Sequence, residues 1–550
     1  MFDSQKTRLF LAIVLGVLSG YLFNAWFIEH PSGESLPSSS ATAIRLSDVP
    51  KTNAPIAERI ENSTQHLLIP SERLIEVNTD VYHLWIDKKG GNIVKAQLKK
   101  YPQTMQTPLE GYRLLDYTKE RYYVAQSGLI HPKGPDNAHQ QAIYNSTQSV
   151  YNLESNQKIL TVDLSWKNED GVDIVKSFVF HPNSYLIDVR YTVKNPSAQA
   201  WQAKLYGQLK REYKGASSSR ILGIQMYQGG AVFTPEKPFK KISFEKMNES
   251  VFSQNIKGGW TAFLEHYFLS SWLPDQNTNN QYYTKAYANN QYAIGTLTDF
   301  NVAPGQTGSI KGQFFIGPEL TDVLKSIHSG LNLTVDYGIL WPISQVLFVV
   351  LKQIYQWVGN WGAAIILLTV LIKILFYKLS ATSYRSMANM RSVQPQLEAI
   401  KARCGDDKQK MSQEVMALYR KEKINPLGGC LPILIQIPVF IAFYYVLLES
   451  VELRQAPFIG WIHDLSSKDP YYILPLLMGF TMFLQQKLNP TPTDPVQAKV
   501  MLFMPVMLTA LFLSFPAGLV LYWVVNNILS MLQQSWMMHQ TQKSAMINKI

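Results

Sequence analysis

Lys373 is the residue whose setting most restricts what its chemistry can be. It interrupts an apolar run, Ile365–Tyr377, and a lysine at mid-helix in a membrane costs about 2.5–3.5 kcal/mol on insertion scales. Two readings fit. The side chain is long and lies roughly 9 Å from the end of the run, so its amine can snorkel to the surface. Alternatively, it faces a water-filled cavity between helices. Thr369, one turn earlier on the same face, then continues a polar stripe. Gln436, Ser514, Asn526, Asn527 and Ser530 also stand inside apolar segments. Each alone reads as an interhelical hydrogen bond of about 0.6 kcal/mol; together with Lys373 they point to a hydrated groove.

No catalytic constellation accompanies these residues. There is no metal-spaced His/Cys cluster, no Gly-X-Ser-X-Gly and no glycine-rich phosphate loop. His266 beside Glu265 is an isolated pair. The expectation is a protein that is not an enzyme, uses no cofactor and has no ATPase of its own, so any work comes from substrate partitioning or a partner machine. Cys404 and Cys430 are the only cysteines; they make no metal motif and read as structural. The net charge of +11 comes with no nucleic-acid motif, so topology explains it better than a nucleic acid as primary ligand.

The elements that hold these residues divide the chain sharply. Lys6 and Arg8 precede Leu9–Ile28, which carries no charge. About 20 apolar residues cross a ~30 Å hydrocarbon core, and no small-residue cleavage site follows, so an uncleaved anchor is expected. Pro31 to about Gln65, rich in Ser, Pro, Thr and Ala, reads as a flexible linker. From Leu67 to Pro318 short period-2 runs such as Ile159–Trp166 and Ser177–Val193 alternate with turn signals at Gly90–Gly91, Asp170–Gly171 and Pro182–Asn183, which predicts an antiparallel β-sandwich. Without cysteines it can have no disulfides.

Ile339–Trp357 is apolar but broken by Gln345, Lys352, Gln353 and Gln356, as in a helix lying in the membrane interface. Five spans are expected after it: Ala363–Leu379, Leu431–Leu448, Tyr471–Gln486, Val500–Phe515 and Leu519–Trp536. The loop Ser380–Gly428 carries nine Lys/Arg and five acids, whereas Ser450–Pro470 carries only Arg454 and Lys468 against three acids. The positive-inside rule puts the first loop in the cytoplasm, the second outside, and both termini inside. Within the first loop, Met390, Val393, Leu397, Ile400 and Cys404, then Met411, Val415 and Leu418, repeat at 3 and 4, the seam of a helical hairpin turning at Gly405–Asp407. Pro395 should kink or restart its first helix, and the hairpin should move relative to the membrane core. The expected layout is anchor 1–30, linker 31–66, sandwich 67–336, interfacial helix 337–358, span 359–380, hairpin 381–428, span 429–449, outside loop 450–470, three spans in 471–537 and tail 538–550.

Several long strings carry a family resemblance: Gly405-Asp-Asp-Lys-Gln-Lys410, Asn425-Pro-Leu-Gly-Gly-Cys430, Val451-Glu-Leu-Arg-Gln-Ala-Pro457, Asp469-Pro-Tyr-Tyr-Ile-Leu-Pro475 and Phe515-Pro-Ala-Gly-Leu-Val-Leu-Tyr522. In these the chain resembles the YidC membrane protein insertases of the Gram-negative type. The resemblance is dense from about Asp336 to Trp536, and Gly258-Gly-Trp-Thr-Ala-Phe-Leu264 extends it locally. It implies a polytopic α-helical membrane protein of six spans, a five-helix insertase core and a large periplasmic β-supersandwich. It also implies a hydrophilic groove open to the cytoplasm and to lipid. The family's groove arginine falls at Lys373, which keeps the charge and loses the bidentate fork. Its threonine falls at Thr369, its glutamine at Gln436, and a groove tyrosine at Trp523; Asn527 joins them on the residue reading above. The hairpin at Gly405, Asp406 and Asp407 corresponds to the contact region for incoming chains and targeting factors.

The implied partners are nascent membrane proteins, the Sec translocon, the ribosome and signal recognition particle machinery, and membrane lipids. The tail after Trp536 has only Lys543 and Lys549, fewer basic residues than in many relatives, which counts against ribosome binding through the tail. Two rival classes remain at this level. A secondary transporter also carries intramembrane charge, although the five spans show no internal repeat. An assembly scaffold would place the work in the β domain.

Overall fold

The computed structural model describes residues 69–137, 140–215, 226–405, 407–422, 431–488 and 495–547. The expected anchor and linker lie outside these residues.

Between Leu74 and Pro318 the chain folds into two facing sheets, of ten and nine strands. Strands Leu160–Lys167, Asp173–Phe180 and Leu186–Lys194 alternate buried and accessible positions, because one face meets the core and the other meets water. The run Ser177–Val193 is thus two strands, reversed at Asn183 with φ 55°. Thr261–Glu265 and Phe268–Pro274 are buried along their whole length. Trp272 lies so close to Gly207 of the opposite sheet that a Cβ there would sit 1.9 Å from its ring, so only glycine admits the indole at this crossing. Among the described strands the pairings are antiparallel except that Leu74–Asn78 pairs in parallel with Val150–Asn152. Two short helices, α1 (Phe244–Glu249) and α2 (Thr321–Ile327), belong to this domain.

The second half is helical. It comprises α3 (Trp341–Val358), α4 (Trp361–Leu375), α5 (Tyr377–Ser392), α6 (Gln394–Cys404), α7 (Lys408–Lys421), α8 (Leu431–Glu449), α9 (Ile473–Leu488), α10 (Pro495–Phe512) and α11 (Ala517–Ile547). Two expected spans are longer than the helices that form them. The span expected over Ala363–Leu379 stops at Leu375, and α5 leaves it at a 69° bend. The physical cause is tertiary: Ala381 and Tyr384 of α5 pack on Met537 of α11, which draws the chain across the bundle. Helix α11 continues past Trp536, the end of the last expected span, to Ile547. The span expected over Val500–Phe515 ends at Phe512, and Ser514 is an exposed turn residue bonded to Leu511 O.

Among the described residues, one helical stretch, Gly338–Val358, is long and apolar enough by itself to cross a membrane. The α4–α5 pair qualifies only if counted together across its bend. Helix length alone therefore does not count out six spans.

The two halves share one continuous buried core. At their junction Arg454 Nη2 donates to Pro102 O at 2.9 Å and to Gln103 O at 3.3 Å. Its guanidinium also lies over Tyr112 and Phe268. His266 Nε2 donates to Leu448 O at 2.7 Å, and Lys241 pairs with Asp336.

Candidate functional site

Lys373 stands in the last turn of α4, where the negative end of the helix dipole favours a cation. Its amine does not run outward along the helix. Nζ donates to Ser530 Oγ of α11 at 2.7 Å, and Ser530 Oγ donates in turn to Asn526 O at 2.7 Å. Among the described residues no carboxylate pairs with Lys373. The side chain lines a small cavity, of about 30 Å³, together with Ile372, Phe376, Ser380, Gln436, Tyr522 and Asn526. Gln436 Nε2 donates to Tyr522 OH at 2.9 Å, so α8 is tied to α11 across the cavity.

Four of the residues singled out from sequence thus converge: Lys373, Gln436, Asn526 and Ser530. Four do not. Thr369 is buried one turn above, and its hydroxyl donates to Ile365 O of its own helix at 2.7 Å. Trp523 stacks edge-on against Phe440 at 4.7 Å and contacts Phe512, outside the cavity wall. Asn527 turns to α9, donating to Thr481 Oγ1 at 3.2 Å. Ser514 lies in the exposed turn described above.

Tyr522 and Ser380 were missed. Tyr522 had a signal: residues 522, 526, 530 and 534 are Tyr, Asn, Ser and Gln, a four-residue spacing that lines one helix face. Trp523 and Asn527 fall one step round and face another neighbour.

The hairpin packs through Val393, Leu397, Ile400, Cys404 and Leu418, with Met390, Met411 and Val415 against them. Pro395 sits in the first turn of α6, after a break at Val393. Gly405 ends α6 with φ 53°. Asp407 caps α7, its carboxylate accepting from Gln409 N and Lys410 N. Asp406 and Cys430 lie outside the described residues. In the β domain Glu265 is not a partner of His266; it bridges Arg211 and Arg121, each at 2.7 Å, a structural role.

Around the polar cavity the outer surfaces are apolar. α4, α9 and α10 expose Leu371, Ile374, Leu375, Leu476, Phe480, Phe503, Val506 and Met507. Polar residues inside and a broad apolar exterior invert the pattern of a water-soluble bundle. The fold and site therefore define a helical membrane protein with a polar interior, carrying a large β-sandwich domain.

The comparisons narrow that class. Residues 353–544 match the family model described as 60Kd inner membrane protein, and residues 74–350 match the one described as YidC periplasmic domain. A protein of Legionella pneumophila (strain Paris) named Membrane protein insertase YidC is 47% identical over 541 residues, covering 97% of this chain and 96% of its own. A protein of the same name from Stutzerimonas stutzeri (strain A1501) is 47% identical over 521 residues, covering 94% and 93%. A crystal structure titled as an active YidC insertase with its first transmembrane domain resolved aligns over 83% of this chain and 91% of its own. At 18% identity and a TM-score of 0.39 it carries no inference. The chain belongs to the YidC family of membrane protein insertases.

Proposed function

We propose that this protein inserts membrane proteins into the inner membrane through the cavity at Lys373. A hydrophilic segment loses its water when it enters hydrocarbon, and each unsatisfied polar group then costs several kcal/mol. A wet cavity shortens the apolar distance that the segment must cross. Lys373, with no carboxylate partner among the described residues, offers a transient counter-charge to acidic residues of the translocating segment. Gln436, Tyr522, Asn526 and Ser530 supply hydrogen bonds that replace water. The substrate's own apolar helix then leaves for lipid, which drives the step.

The surrounding arrangement in this reading has six spans, with both termini in the cytoplasm and the β-sandwich in the periplasm. α3 lies in the interface: its polar flank of Gln345, Lys352 and Gln353 turns toward the β domain, and Ile343, Val346 and Trp357 are exposed. The protein works alone or with the Sec translocon, and as a chaperone for substrates that fold in the membrane. The hairpin α6–α7 receives chains from the ribosome and the signal recognition particle route.

The observation that carries the reading is the inward amine of Lys373, bonded to Ser530 rather than carried to the surface. The test is insertion of a single-span substrate with a short acidic loop in cells depleted of this protein. Wild type, Lys373→Ala and Lys373→Arg are compared at equal accumulation, scored by protease access from the outside. The reading expects Ala to fail and Arg to succeed. Equal insertion by Ala would make the charge irrelevant.

A further inference from the structure

The base of the β domain and the polar flank of α3 line a second groove, of about 750 Å³. Its chemistry is two-sided. Trp341, Phe348 and Val349 form an apolar wall, and Val349 is continuous with the exposed apolar face of α3. Lys237 and Lys325 of the β domain face this wall across the groove, and Lys352 stands on α3 itself, one turn beyond Phe348. The two carboxylates there are already satisfied. Asp322 pairs with Lys352 at 2.6 Å; Asp336 pairs with Lys241 and accepts the N–H of Gly338 at 3.0 Å. Lys237 and Lys325 are exposed and have no ion-pair partner among the described residues. The groove therefore sets two lysines without ion pairs, on its β-domain side, against a wall of α3 on which Trp341 and Val349 alternate with the amides of Gln345 and Gln353.

We infer that this groove binds an anionic phospholipid, phosphatidylglycerol, drawn from the leaflet on the β-domain side. The phosphate lies against Lys237 and Lys325. The glycerol hydroxyls meet the glutamine amides, and the acyl chains follow Trp341 and Val349 onto the lipid-facing side of α3. Charge complementarity selects the headgroup, and the apolar wall separates a membrane lipid from a free phosphate, which would gain nothing from it. The bound lipid ties the β domain to the bilayer at the depth of α3. The inference rests on the interfacial position of α3 given above.

The experiment uses the full chain in detergent with mixed phosphatidylglycerol and phosphatidylcholine, and native mass spectrometry counts the lipids retained. Lys237→Gln/Lys325→Gln is compared with wild type and with Lys158→Gln, an exposed lysine elsewhere on the domain. Near a membrane surface each lysine is worth about a fivefold preference for anionic lipid, so the double variant should retain phosphatidylglycerol about thirtyfold more weakly. Lys158→Gln should match wild type, and glycerol 3-phosphate should not displace the lipid. Equal retention by the double variant overturns the inference, as does an equal loss of phosphatidylcholine or displacement by glycerol 3-phosphate. The position of α3 is read separately, from a spin label at Val346→Cys in a Cys404→Ser/Cys430→Ser background. A label in bulk water defeats the interfacial placement. A label at headgroup depth with unchanged lipid retention defeats the lipid site alone.

Discussion

Lys373 and Ser530, 157 residues apart in the chain, meet through one hydrogen bond of 2.7 Å that joins the end of α4 to the middle of α11. The bond holds the amine in the cavity but does not supply its charge. Ser530→Ala should therefore slow insertion of an acidic-loop substrate by about ten- to a hundredfold and not abolish it, the scale of one lost hydrogen bond to a charged group. Lys373→Glu should abolish insertion of that substrate and spare one with an uncharged loop. Protease-access assays on the two substrates separate these outcomes, and a defect equal for both loops would argue against a counter-charge.

Glu265 is shared by two arginines, Arg211, which is buried with it, and Arg121, which is partly exposed. Arg211 is further enclosed by Tyr123 and Phe263. Removing the shared partner leaves uncompensated buried charge, so Glu265→Ala should destabilise the β domain by about 3–5 kcal/mol. The check is the thermal unfolding midpoint of the purified full chain. A change within error would mean that water reaches the arginines.

His266 carries a pH dependence at the junction. Burial holds its imidazole below the usual 6.5; the positive charge of Arg454 adds to this and the bond to Leu448 O opposes it. The folded histidine is thus neutral where the unfolded one begins to take up protons. Its contribution is complete above pH 6.5 and is lost as the pH falls below that value toward the folded pKa. Acidification should lower the amide protection factors, taken relative to the slower intrinsic exchange at acid pH, in Phe268–Pro274 and in the end of α8. In His266→Asn, which tolerates the φ of 51° at this position, that acid-dependent loss of protection should disappear.

Asp407 satisfies two amides at the start of α7. Asp407→Ala should cost about 1 kcal/mol of local stability, seen as faster hydrogen exchange at Gln409 and Lys410 with no change in α4. Unchanged exchange there would mean that solvent replaces the cap at no cost.

The elements that could be read directly are those whose signal is local. The hairpin seam was legible because Val393, Leu397, Ile400 and Cys404 meet through spacing of 3 and 4 within single helices. The strands Leu160–Lys167 and Asp173–Phe180 were legible because alternation survives wherever one sheet face meets water. Phe268–Pro274 gave no such alternation, since both of its faces are covered. Thr369 and Trp523 matched a family pattern, yet rotation about the helix axis and competition from Ile365 O and Phe440 put them elsewhere. Tyr522 was available from its spacing to Asn526 and Ser530, whereas Ser380 reaches the cavity only because α5 bends away from α4.

The sequence by itself determined that apolar helices surround a small set of polar residues and that a β-sandwich precedes them. Hydropathy and periodicity are properties of neighbouring residues, and desolvation acts on them wherever the segment ends up. Only the tertiary structure decided which polar residues share a cavity, where α4 bends, and how Arg454 and His266 fasten the domain to the core. Those outcomes depend on helix rotation and on contacts between residues far apart in the chain, such as Lys373 with Ser530 and Arg454 with Pro102. Loop-closure entropy and packing choose among such partners together, so no local stretch of sequence carries the answer.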